Sequence, residues 1–258
     1  MFQAYPRTLQ ETNLRVRLLC HTPDPLRILY AAYRTCYSKK SPMDLWDQSD
    51  GLDPEKITQF ILERLKTGHT SPLEQVVFWF GIEGLSRVAS HQLVRHRIGI
   101  SFEQQSQRYI KLDTKNFKKS YSIPKTWQQS ELLELYKDHL QQAMGLYQKA
   151  LENGIPQEDA RFILPQATVS NLQVCVNYAE LLHIADLRLC FRAQWEIRRL
   201  VLGMRREVKK AQPALGTFLQ PKCGPARQGF CDEPYEAYKK CPLSRARPHK
   251  QDVLLDGG

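Results

Sequence analysis

Residues 74 to 82 read EQVVFWFGI, a β-branched and aromatic run too short for a stable helix. It is expected to be a strand with substantial burial on both faces. Helical patterns flank it on both sides, so strand and helix must share one core, and the chain is expected to be α+β with helices in the majority.

The neighbouring segments carry their own start and stop signals. RVRLLC at 15–20 alternates Val16, Leu18 and Cys20 with charged or polar residues, as a half-buried strand would. In DPLRILYAAYRTCY, Asp24 is the expected cap and Pro25 the first helical residue, with Leu26, Leu29, Tyr30 and Tyr33 at helical spacing. DPEKITQFILERLKTGH repeats this with Asp53, Pro54 and a stop at Gly68. A helix is expected from Glu83 to about His96, with Leu85, Val88, Ala89 and Leu93 on one face, then a strand around Arg108 to Lys111. Further helices are expected over 131–153, from EDARFILPQA, over 171–186 and over 192–211, the last stopped by Pro213. The tail from about 222 is rich in Pro, Gly and charge and is expected to be weakly ordered.

Lys and Arg outnumber Asp and Glu by 37 to 27, a net charge of +10 that favours an anionic partner without distinguishing nucleic acid from small phosphates. The excess is dispersed, with concentrations at RHR 95–97, KNFKK 115–119, 198–210 and beyond 239. A nucleic-acid module would need a basic stripe interleaved with exposed aromatics, and no such motif is present. No apolar stretch reaches the roughly 18 to 20 residues of a membrane span, and MFQAYPRTLQETNLR lacks the apolar core of a signal peptide. These features predict a soluble, cytoplasmic protein without a membrane partner.

The densest chemistry lies in QLVRHRIGISFEQQSQRY at 92–109. Arg95, His96 and Arg97 are consecutive, and helix positions diverge by about 100° per residue, so all three cannot grip one phosphate. They suit two bound groups, or simply a basic surface at a helix end. Downstream, Ser106 and Arg108 suit phosphate oxygens, while Gln104 and Gln105 suit the donor and acceptor edge of a pyrimidine or a flavin.

RHR, eight residues, then Ser106-Gln107-Arg108-Tyr109 resembles the signature of the flavin-dependent thymidylate synthases. GHTSPLEQ at 68–75, DARFILP at 159–165 and LRLCFRAQWEIR at 187–198 are similar to further motifs of that family, in the same order. The resemblance implies a helix-rich single domain with a small, mainly antiparallel sheet over residues 1–221, leaving 222–258 as the tail. It also implies reductive methylation of dUMP to dTMP, with bound FAD, 5,10-methylenetetrahydrofolate as carbon donor and NADPH as reductant.

Position by position, the resemblance assigns FAD to His69, Ser71, Arg95, His96, Arg97, Asn177 and His183, with His69 and His96 near the flavin ring. It assigns dUMP to Gln92, Gln104, Gln105, Ser106, Arg108, Arg161 and Arg188, with Arg188 polarising the pyrimidine as the catalytic residue. It implies a homotetramer with sites shared between subunits, and no nucleic-acid polymer as partner. No cysteine falls in the RHR signature, which agrees with a synthase that does not attack uracil with a thiolate. No G-x-G-x-x-G is present either, so FAD binding would rest on side chains and helix ends.

The seven cysteines are an odd number in a chain without a secretion signal, so a disulfide framework is not expected. Cys20, Cys36, Cys175 and Cys190 stand in apolar contexts and read as buried thiols. Cys223, Cys231 and Cys241, with His249 beyond, lack the C-x-x-C pairs of common zinc sites and read as loosely held thiols, with no metal expected.

Overall fold

The computed structural model describes residues 14–112 and 117–255. The N-terminal residues 1–13 and the start of the KNFKK cluster lie outside the described residues. Strand β1 (Arg15–His21) leads into α1 (Pro25–Thr35), α2 (Pro42–Gln48) and α3 (Pro54–Lys66). Each of these helices opens on proline, whose φ is already helical and whose missing N–H costs nothing in a first turn. Asp53 caps α3 as expected, its carboxylate accepting from Glu55 N–H. Asp24 does not cap α1: its backbone is left-handed, at φ 44° and ψ 51°, and its side chain makes no cap bond.

After a 3-10 turn at Ser71–Gln75 come β2 (Val77–Ser86) and α4 (Arg87–Leu93). The helix expected from Glu83 to His96 is therefore shorter at both ends. Residues 83–86 remain in the strand, and the Ser86 hydroxyl caps α4 by accepting Ala89 N–H at 3.2 Å. Along β2, full and partial burial alternate up to Ile82, so only one face is sealed rather than both. The next strand, β3, is Ile100–Gln104, whereas Arg108 to Lys111, where a strand was expected, are turn, bend and irregular chain.

Short helices α5 (Phe117–Ser120) and α6 (Lys125–Gln128) precede the long α7 (Leu133–Glu152), and α8 (Gln157–Ala160) runs into a 3-10 turn at Arg161–Ile163. Then come β4 (Val169–Asn177), α9 (Tyr178–Arg188), α10 (Trp195–Ala211) and α11 (Pro213–Phe218). The helix expected over 171–186 is thus a strand and a helix. Leu172, Val174 and Val176 are buried at a period of two, the signature of a strand. Pro213 does not merely end α10 but opens the next helix. The four strands form one antiparallel sheet in the order β1-β2-β4-β3, which makes the fold α+β and helix-rich.

Contacts group the chain into two units. The first comprises Ile82–Val94 and Glu103–Gln173 with the end of the N-terminal stretch; the second comprises Val16–Gly81, Arg95–Phe102 and the chain from Val174 onward. In the first unit, Leu140 and Met144 of α7 pack with Tyr121 and Ala167, and Tyr147 and Ala150 pack with Ala160. In the second, Leu29, Tyr33, Ile61, Phe78, Phe80 and Tyr178 are wholly buried, each contributing about 1.5–3 kcal/mol by leaving water. Helix α10 buries Ile197, Leu200, Val201, Met204 and Val208 on one face. Trp195, expected with Ile197 in that core, is only half-buried. Gly216 lets α11 close onto α10, since a Cβ there would lie 2.4 Å from the Lys209 backbone.

Beyond residue 222, where composition suggested little order, the chain forms α12 (Tyr235–Lys239), a 3-10 turn at Ser244–Ala246 and α13 (Lys250–Leu255). Cys231 bridges to His249, with backbone bonds to Pro248 O and from Lys250 N–H at 2.8 and 2.7 Å. Cys20 and Cys36 are exposed rather than buried, because β1 is an edge strand and Cys36 lies just past the end of α1. No helix among the described residues is long and apolar enough to cross a membrane.

Candidate active site

In the second unit the basic triplet follows α4 rather than ending it, so its side chains alternate: Arg95 exposed, His96 buried, Arg97 exposed. His96 is 6% exposed, and its ring is fixed from two sides. Arg188, the last residue of α9, donates Nε–H to His96 Nε2 at 3.1 Å, and His96 Nδ1 lies 2.9 Å from Glu180 Oε1. A nitrogen that accepts from an arginine carries no proton, so His96 is the neutral Nδ1–H tautomer donating to Glu180. Burial, reinforced by the Arg188 charge and by His183, pushes its pKa down to about 4, in agreement with that bonding. The close Glu180 carboxylate is thus a hydrogen-bond acceptor rather than the partner of an imidazolium, and burial raises its own pKa.

Glu180 is placed by the start of α9. Asn177 caps that helix, its Oδ1 accepting Glu180 N–H at 2.9 Å. One turn on, exposed His183 presents its ring edge-on to His96, with centroids 5.8 Å apart. Gly99 completes the arrangement. Its φ is +69°, its carbonyl accepts Asn177 N–H at 2.7 Å, and a Cβ would lie 2.3 Å from the Asn177 side chain.

His69 is held in the same unit by two tyrosines. Tyr33 OH donates to its backbone carbonyl at 2.9 Å, Tyr37 OH lies 3.0 Å from Nδ1, and both rings meet the imidazole edge-on. The 3-10 turn that begins with exposed Ser71 packs on α9.

In the first unit, Gln104 Nε2 donates to Ser170 Oγ, and Gln105 pairs with Asn171 through both backbone and side chain at 3.0 Å. Ser106 turns the chain, its Oγ accepting Arg108 N–H at 3.2 Å. Arg108 donates from Nε to Glu158 Oε2 at 2.9 Å, and Arg161 donates to the Glu158 carbonyl at 2.9 Å. Gln92 sits half-buried on α4. A cavity of about 660 Å³ opens beside this group, lined by Gln105, Lys119, Leu164, Thr168, Ser170 and Asn171 among others.

Residues 17–214 match the family model described as thymidylate synthase complementing protein. The chain belongs to the flavin-dependent thymidylate synthases. It is 41% identical over 239 residues to the flavin-dependent thymidylate synthase of Nitratidesulfovibrio vulgaris, covering 87% of this chain and 94% of that one. It is likewise 41% identical over 228 residues to the enzyme of that name from Pyrococcus abyssi, covering 85% and 90%. Among solved structures the fold is similar to a UMP/dUMP methylase, PolB, from Streptomyces cacaoi bound with 5-Br dUMP (TM-score 0.68, 21% identity, 80% of this chain and 94% of that one). It is also similar to the Helicobacter pylori flavin-dependent thymidylate synthase complexed with FAD and dUMP (TM-score 0.64, 22% identity, 80% and 99%).

Within this flavin-dependent thymidylate synthase the two expected residue sets fall in different units. His69, Ser71, Arg95, His96, Arg97, Asn177 and His183 are all in the second; Gln92, Gln104, Gln105, Ser106, Arg108 and Arg161 are in the first. Arg188 is the exception, since the structure joins it to His96 of the set expected to hold the flavin. Of the residues expected to hold dUMP, only Gln105 lines the cavity. Sequence reading missed Glu180 and Glu158. Glu180 had a legible signal, the Asn-x-x-Glu spacing of a helix start, three residues before His183. Glu158 lies far in sequence from Arg108, and no local pattern joins them.

Proposed function

We propose that this chain converts dUMP to dTMP, taking the carbon from 5,10-methylenetetrahydrofolate and electrons from NADPH through FAD. The observation that carries the reading is the hydrogen-bonded line Arg188–His96–Glu180, whose arginine and histidine lie in the family's motifs. The donor set suits FAD: Arg95 and Arg97 are exposed cations without a carboxylate partner among the described residues, fit for a diphosphate, and His69 with the exposed Tyr37 ring offers an aromatic wall. Bound FAD supplies the electrons and takes part in carrying the methylene group to the pyrimidine.

The protein supplies charge and position. Neutral His96 accepts from Arg188 Nε and so sets the plane of the guanidinium. Glu180 holds the tautomer that makes this possible, as a carboxylate fixes a catalytic imidazole. The Arg188 charge then stabilises negative charge developing on a uracil oxygen, worth about 3–4 kcal/mol for one well-placed donor. Arg108 and Ser106 are assigned the dUMP phosphate; Gln92, Gln104, Gln105 and Arg161 are assigned the rest of the nucleotide. No cysteine nucleophile is required.

The functional assembly is a homotetramer. Apolar side chains beside the motif arginines are bare in the single chain: Ile98 at 81%, Tyr109 at 74% and Phe162 at 84% exposure, the pattern of surfaces that partner copies cover.

The test is a visible absorbance spectrum of the purified protein before and after dUMP, followed by anaerobic NADPH. A flavin band that shifts with dUMP and bleaches with NADPH supports the reading; a protein that cannot be loaded with FAD sinks it. Arg188→Ala should retain most FAD and lose dUMP methylation, and undiminished turnover would remove the role given to Arg188.

A further inference from the structure

Four of the cysteines converge in the second unit, and none of them belongs to the site above. Cys190 follows the end of α9, while Cys223, Cys231 and Cys241 come from the C-terminal segment. Their neighbours interlock. Cys190 Sγ lies 4.0 Å from Glu233 Oε1, and Arg192 pairs with the same carboxylate. Lys222 and Asp232 pair, tying the flank of Cys223 to that of Cys231. Cys241 N–H donates to Tyr238 O at 2.9 Å, and the Tyr238 ring lies 4.9 Å from His249, the residue bridged to Cys231.

Leu243 N–H, two residues beyond Cys241, donates to Cys241 Sγ at 3.4 Å. A backbone N–H aimed at sulfur stabilises a thiolate, the form that binds metals. At Cys223 the second residue on is Pro225, which has no N–H to give.

Arg227 ties the segment to Asp186 of α9 through two hydrogen bonds at 2.7 and 2.6 Å, but the segment has little core of its own. From residue 222 to residue 253 the buried residues are Gly224 and His249, so hardly any apolar core holds its turns together. Small folds short of core depend on disulfides or a structural metal. The four thiols are free.

We propose that Cys190, Cys223, Cys231 and Cys241 form a tetrathiolate site for a soft divalent cation, zinc, which fastens the C-terminal segment to the end of α9. His249 is not a ligand: its Nε2 is 2.8 Å from Glu233 O, and its Nδ1 accepts Gln251 N–H at 3.2 Å. Binding replaces four S–H bonds by four zinc–sulfur bonds and releases four protons to solvent, leaving a site of charge −2. Arg247 offsets part of that charge. Its Nε is buried without a hydrogen-bond partner among the described residues. The four thiols are linked through shared neighbours, Glu233, Asp232, Tyr238 and His249. Their spacing is wider than that of the His96, Glu180 and His183 ligand atoms, which gather within 4.8 Å, so the thiol side chains close inward on binding.

The test is elemental analysis and sulfur-sensitive X-ray absorption of the full chain purified from zinc-supplemented cells. The expected result is about one zinc per chain with four sulfur neighbours at about 2.3 Å. Cys223→Ser and Cys241→Ser should each lower zinc content at least about tenfold, while Cys20→Ser and Cys36→Ser leave it unchanged. Cobalt substitution of the unmutated chain gives an independent readout, since a tetrathiolate site yields the charge-transfer and ligand-field bands of tetrahedral cobalt. A zinc-free protein, nitrogen or oxygen neighbours, zinc retained in Cys223→Ser/Cys241→Ser but lost in His183→Ala, or a thiol count lowered by disulfides would each overturn the proposal.

Discussion

His96 shows how a charged-looking triplet contains one residue that must stay neutral. Its folded pKa of about 4 lies below its ordinary 6.5, so the unfolded chain takes up the proton first. The stability this residue contributes is therefore complete above about pH 6.5 and lost as pH falls toward 4, by up to about 3 kcal/mol. Glu180, raised by burial, works in the opposite direction and flattens the lower end of that range. Denaturant titrations across the window should show the slope, and His96→Asn should remove most of it; an unchanged slope would mean His96 titrates normally. Gly99→Ala should cost about 1–3 kcal/mol, because it adds a strained φ to a clash with Asn177. Full stability with unchanged FAD retention in that variant would refute the close approach.

Helix α9 does more than pack. Its cap fixes Glu180, its second turn carries His183 and its last residue is Arg188, so one element aligns the line on His96. Asn177→Ala should destabilise the fold by about 1 kcal/mol and weaken FAD retention, with Asn177→Asp restoring the cap. A fall in FAD affinity equal in both variants would instead mean that the amide binds the cofactor directly. This element was half legible. Its helical end was read correctly, but the alternation of Leu172, Val174 and Val176 was absorbed into the helix, because a period of two passing into a period near four leaves no break in hydrophobicity. The strand expected at Arg108 to Lys111 failed for another reason. Ser106 bonds back to the chain two residues on, a local contact that competes with a strand ladder.

At the scale of the whole molecule, native mass spectrometry should give four copies of the 30.0 kDa chain, and charged replacements at Ile98 or Phe162 should lower that mass and the activity together. A monomer with full activity would refute the shared assembly. The sequence by itself determined the family and the positions of most motif residues, because a signature such as RHR with its downstream Ser-x-Arg is a matter of order along the chain. It also determined the proline-opened helices, since caps and first turns are decided by neighbours within four residues. Only the tertiary structure decided that His96 is neutral, that Arg188 stands with it, and that Cys190 lies against Glu233 of a distant segment. Protonation state and ligand grouping depend on what packs around a side chain, and those neighbours are brought from remote parts of the chain by the fold.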